Sequence, residues 1–139
     1  MKKSVIDLIF QLKSSCMAKE DKIREELKLS PAEFHGLLSL LPGSEIPCNI
    51  LAKKMGLSVS RGSRVIDKLV NNGYLREKRN DEDGRVTKIT LTSKGIAVQK
   101  KIHQMLEDCE NTILTRMTKS ELSVLEDSLL KLSDILISR

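Results

Sequence analysis

LSVSRGSRVIDKLVNNGYLREKRNDEDGRVTKITLTSKG, residues Leu57–Gly95, is the stretch whose reading decides the fold. Ser58 opens a helical pattern with Val59, Ile66, Leu69 and Val70 on the inward side, and Asn72-Gly73 closes it. A charged hairpin follows. Its turn lies near Asp81-Glu82-Asp83-Gly84, and in the return strand Thr87, Ile89 and Leu91 alternate with Val86, Lys88 and Thr90. A basic helix with small polar residues fits a nucleic-acid groove, and a hairpin carrying arginine can flank it. The pattern points to DNA binding rather than catalysis.

Working outward, a short helix is predicted at about Pro47–Met55, with Ile50, Leu51 and Met55 as its apolar side and Gly56 as its stop. Joined to the next helix through Gly56-Leu57, it makes a helix-turn-helix. Ser30-Pro31-Ala32-Glu33 is a helix start in which Ser30 caps, Pro31 takes the first helical position and Glu33 reaches back. That helix carries Phe34, Leu37, Leu38 and Leu41 and ends at Pro42-Gly43. Before it, residues 3–28 repeat Val5, Ile9, Leu12, Cys16, Ile23 and Leu27 at helical spacing.

Downstream, a helix begins after Thr92 or Ser93, with Val98, Ile102, Met105 and Cys109 on one side. Thr118-Lys119-Ser120-Glu121 is a second capping box. The last helix then places Leu122, Leu125, Leu129, Leu132 and Leu136 in a heptad-like seam, widened by Val124, Leu130, Ile135 and Ile137. A terminal helix apolar on several sides needs more than one neighbour, and a second subunit supplies it. The expected fold is therefore mainly α with a small β-hairpin wing. A winged helix-turn-helix lobe, residues 30–95, is flanked by dimerisation helices at 1–28 and 96–139, all within one domain.

The chain has 139 residues, 40% hydrophobic and 31% charged but only 2% aromatic, so its core must be aliphatic. Its charge is concentrated. Between Lys53 and Lys88 lie ten Lys or Arg against five Asp or Glu, a surplus equal to the whole net charge of +5. Positive charge confined to one segment marks a phosphate-binding face. No apolar run approaches the roughly 20 residues that cross a bilayer, and the start of the chain lacks the pattern of a signal peptide. Cys16, Cys48 and Cys109 are odd in number and far apart, which suits a reducing cytoplasm.

The order of these elements resembles the MarR family (multiple antibiotic resistance regulators). The most specific match is Asp83-Gly84-Arg85 followed by Leu91-Thr92-Ser93-Lys94-Gly95, and Ser63-Arg64-Val65-Ile66-Asp67-Lys68-Leu69 matches the usual recognition helix. The resemblance covers essentially the whole chain. It implies a homodimeric regulator, more often a repressor, bound to double-stranded DNA and tuned by a signal such as a small molecule. Carried onto this sequence, it nominates Ser58, Ser60, Arg61, Ser63, Arg64 and Lys68 on the recognition helix. On the wing it nominates Lys78 and Arg79 for phosphates and Arg85 for the minor groove, oriented by Asp83.

Other roles have weaker footing. Cys16 falls within the apolar stripe of its helix, with Tyr74 far away, unlike a peroxide-sensing cysteine of this family. His35, His103 and Glu107 fall at or near zinc-sensing positions, but the remaining histidines of such a site are absent, so no metal and no cofactor is expected. Without a phosphate loop, a His-Glu-x-x-His or a nucleophile elbow, the chain does not read as an enzyme. A winged helix used only for protein–protein contact is the alternative, and the concentrated positive charge argues against it.

Overall fold

The computed structural model describes residues 2–79 and 87–137. The turn at Asp81–Gly84, the nominated Arg85 and its partner Asp83 lie outside the described residues. The elements are α1 (Val5–Leu27), α2 (Pro31–Leu38), β1 (Ile46–Pro47), α3 (Cys48–Lys54), α4 (Val59–Asn71), β2 (Leu75–Arg79), β3 (Thr87–Leu91), α5 (Ser93–Arg116) and α6 (Lys119–Ile137). The chain divides into two compact units, residues 1–102 and 103–139.

Helix starts follow local chemistry. Ser30 and Glu33 form the expected capping box, as do Thr118 and Glu121. A third, Ser4 with Asp7, opens α1. Ser58 caps α4 by accepting the Arg61 backbone N–H. Gly56, at φ +71°, makes the left-handed turn between α3 and α4 that a side chain would resist.

The first unit holds the core. Leu37, Leu40, Leu51, Ile66, Leu69, Leu75, Ile89 and Ile102 are its largest fully buried side chains. The sheet has one strand more than the expected hairpin. β1 joins the open edge of β3, pairing Ile46 with Ile89 and Pro47 with Lys88, and the order is β1-β3-β2. Proline suits such an edge because it cannot donate to a further strand. On β3, Ile89 and Leu91 face the core with Leu75 of β2, as the alternation predicted.

Three sequence expectations are corrected. Leu41 is 74% exposed, because α2 stops at Leu38 and the helical spacing no longer applies; Leu40 takes the buried place. Val59 is 61% exposed rather than inward. It lies one turn before Gly62, where α3 and α4 actually touch. Cys16 is exposed, since Ile23 is the only buried residue of α1.

Gln99 ties α5 to α2. Its amide is buried and donates to the carbonyls of Leu37 (2.7 Å) and Leu40 (2.6 Å), where α2 ends and has carbonyls to spare. Gln99→Met keeps the shape but strands both acceptors, a cost of about 2–4 kcal/mol. Thermal denaturation should show Tm falling by roughly 5–15 °C. An unchanged Tm would mean that water replaces the amide without loss.

In the second unit α6 has no buried residue, and Val124, Leu129, Leu130, Ile135, Leu136 and Ile137 are exposed. In the first, Val5, Ile6, Leu8, Phe10 and Leu12 of α1 are exposed in the same way. Each of these helices thus carries exposed apolar side chains along its length. No helix among the described residues is long and apolar enough to cross a membrane.

Candidate nucleic-acid interface

α4 is pinned from beneath and open above. Ile66 and Leu69 are fully buried, and Gly62 lies so close to Ala52 of α3 that the two backbones nearly touch. Ser60, Arg61 and Arg64 are exposed on the outer side. Neither arginine forms an ion pair among the described residues, so both guanidinium groups are available to an anion. Ser58 and Ser60 stand 3.4 Å apart, hydroxyl to hydroxyl, at the helix N-terminus, although the Ser58 hydroxyl is already engaged as the cap. Free backbone N–H groups at such an end also favour phosphate.

The other two nominated side chains of α4 have partners in the fold. Ser63 is half-buried and lines an open cavity of about 530 Å³ with Cys48, Asn49, Val59, Asp67, Glu77 and Thr87. Burial pushes the Cys48 thiol above its usual range, against a lowering hydrogen bond from Ser63 and with further upward pressure from Glu77 and Asp67. That thiol is protonated at neutral pH and poorly nucleophilic. The Lys68 ammonium, though exposed, is 3.6 Å from the carboxylate of Glu33, which is only 3% exposed.

On the wing, β2 separates Lys78 from Arg79, because neighbouring residues of a strand face opposite ways. Lys78 shares its face with Arg76 and is directly paired across the ladder with Lys88. Like charges placed opposite each other are unfavourable unless an anion comes between them. The Glu45 carboxylate, 3.8 Å from Lys78, offsets part of this at an exposed site. Arg79 pairs with Thr87 and shares its face with Glu77. Arg76 and Lys88 were missed as candidates. Strand alternation alone places Arg76 beside Lys78, but the register that brings Lys88 opposite could not be known without the turn.

His35 Nε2 lies 3.1 Å from the Glu20 carboxylate, and no cluster of three metal-ligating side chains occurs among the described residues.

A family model described as transcriptional regulator SarA/Rot matches residues 19–105. The chain is 27% identical over 113 residues to the multiple antibiotic resistance protein MarR of Escherichia coli, covering 78% of each. It is 25% identical over 111 residues to the HTH-type transcriptional regulator YsmB of Bacillus subtilis, covering 80% of this chain and 76% of that one. Among solved structures, a mutant of S. aureus MepR superposes with a TM-score of 0.84 at 18% identity, over 96% of this chain and 99% of that one. Wild-type apo MarR of E. coli gives 0.75 at 23% identity, over 95% and 98%. Another MepR mutant, bound to an oligodeoxyribonucleotide, gives 0.69 at 20% identity, over 96% and 99%. These structural likenesses establish the fold.

Proposed function

Given that the chain belongs to the SarA/Rot family of transcriptional regulators, with the MarR-type winged helix as its fold, we propose that it acts as a homodimeric repressor on an inverted-repeat operator. The family comprises transcriptional regulators, not enzymes. The observation that carries the DNA-binding reading is the outer face of α4. There Arg61 and Arg64, one turn apart, are exposed and unpaired among the described residues, on a helix packed from below through Ile66 and Leu69. Arginine in a major groove reads guanine edges or grips phosphate. Ser58, Ser60, Ser63 and Lys68 complete the set on α4, with Lys68 shared between DNA and Glu33. Lys78 and Arg79 meet phosphates, joined by Arg76 and Lys88. Arg85, oriented by Asp83, enters the minor groove.

The dimer rests on the uncovered apolar side chains of α1 and, separately, of α6. Its site of action is the cytoplasm. A small-molecule signal relieves it from DNA.

A two-fold dimer sets its recognition helices about 34 Å apart, one turn of DNA. Footprinting on DNA upstream of its own gene should show two protected half-sites at that spacing. A single protected half-site would refute the dimer. Failure to hold any duplex at low salt would refute DNA binding and leave the protein-interaction reading.

A further inference from the structure

Leu91-Thr92-Ser93-Lys94-Gly95 closes the reading stretch but supplies none of the DNA contacts proposed above. Its surroundings give it another task. The carbonyls at the end of a helix have no partners within the helix. The Lys68, Leu69 and Val70 carbonyls of α4 are taken by the N–H groups of Asn72, Tyr74 and Gly73, and the carbonyls of the C-cap Asn72 and of the two residues after it are taken by Thr92 and Lys94 at the start of α5. Lys94 Nζ donates to the carbonyl of Asn72 at 2.8 Å, the Thr92 hydroxyl donates to that of Gly73, and the Thr92 backbone N–H donates to that of Tyr74 at 3.1 Å. The Lys94 ammonium also stands 4.9 Å from the centre of the Tyr74 ring, on which a cation is favoured. The Thr92 hydroxyl accepts the Gly95 N–H at 3.1 Å, so one side chain caps α5 and holds the turn that follows α4. The fit is close: a Cβ on Gly95 would lie 2.1 Å from the Tyr74 oxygen.

The same end is held from the other side. Asn72 Nδ2 donates to the buried Glu33 carboxylate at 3.4 Å. Asn72 is thus tied to α2 through its side chain and to α5 through its carbonyl.

We propose that Lys94 is a positioning residue for the recognition helix, closing its carbonyl end and so fixing the angle at which Arg61 and Arg64 meet DNA. This rests on the DNA-binding reading above. Arg61 precedes Asn72 by eleven residues, about 16 Å of helix, so a tilt of about 4° at the tied end moves it by roughly 1 Å. A bidentate arginine contact does not survive such a displacement unchanged. A positive charge at a helix C-terminus is also favoured by the helix dipole, which a neutral side chain cannot replace.

The test compares the full chain with Lys94→Met and Lys94→Arg. Lys94 is exposed, so neither change disturbs the core. Without DNA, amide hydrogen exchange in the last turn of α4 should quicken about fivefold in Lys94→Met and return to normal in Lys94→Arg. With DNA, Lys94→Met should bind its operator about tenfold more weakly, while affinity for random duplex and the salt slope stay as in wild type; losing a phosphate contact would lower the slope by about 0.9. Unchanged exchange overturns the proposal. So does a lowered salt slope, which would make Lys94 a phosphate contact instead. Faster exchange in a protein whose wild type binds no duplex would support the tie and overturn the DNA reading.

Discussion

Gly62→Ala is expected to destabilise the protein by about 3 kcal/mol or more, against the usual effect of this exchange in a helix. Alanine is the better helix former by about 1 kcal/mol, so an unconstrained α4 would gain from it. Here the new Cβ would fall 2.2 Å from the Cβ of Ala52 and 2.9 Å from its Cα. Carbon atoms in contact rest about 3.5–4.0 Å apart. Neither neighbour is a flexible side chain, so α3 and α4 must move apart. That movement opens the packing around Leu51, Ile66 and Leu69, all fully buried. Overpacking of this kind costs about 1–3 kcal/mol even where neighbours can yield, and here they cannot. The clash therefore outweighs the helix preference. Thermal denaturation should show Tm lower by roughly 10 °C or more. A Tm equal to or above that of wild type would disprove the close approach. Ala52→Gly in the same chain removes one of the two colliding carbons and should recover part of the loss, a coupling that a double-mutant cycle measures.

The second large effect concerns binding rather than stability. Arg61→Ala with Arg64→Ala should weaken operator binding at least about 30-fold, since each arginine that grips a base edge contributes about 1–3 kcal/mol. Both side chains are exposed, so Tm should change little. Fluorescence anisotropy on operator and random duplexes over a salt series separates the possibilities. Loss on the operator alone indicates base contacts, and equal loss on both with a shallower salt slope indicates phosphate contacts. A double variant that keeps wild-type affinity would remove α4 as the reading element.

Much of the candidate site was legible in the sequence because its signals are local. The outward position of Arg61 and Arg64 follows from helical spacing against Ile66 and Leu69. The cap at Ser58 follows from a hydroxyl placed just before that helix. The charge surplus between Lys53 and Lys88 required only counting. Other features were not legible. Ser63 facing the cavity, Lys68 beside Glu33 and Lys88 opposite Lys78 each join residues from different elements, and no spacing within one element encodes them. Val59 is a further case: it continues the apolar stripe of α4 yet is 61% exposed, because which part of a stripe is covered depends on contacts between elements.

The sequence by itself determined the six helices, the hairpin, their order and the helix that presents arginine. Each depends on interactions within about four residues: caps, periodicity, turns. Only the tertiary structure decided how those elements are held. The third strand, the touching of Gly62 and Ala52, the grip of Gln99 on the end of α2, and the tying of the end of α4 between Glu33 and Lys94 all join residues far apart in the chain. Such contacts form when packing brings two surfaces together, and local sequence records the surfaces but not their meeting.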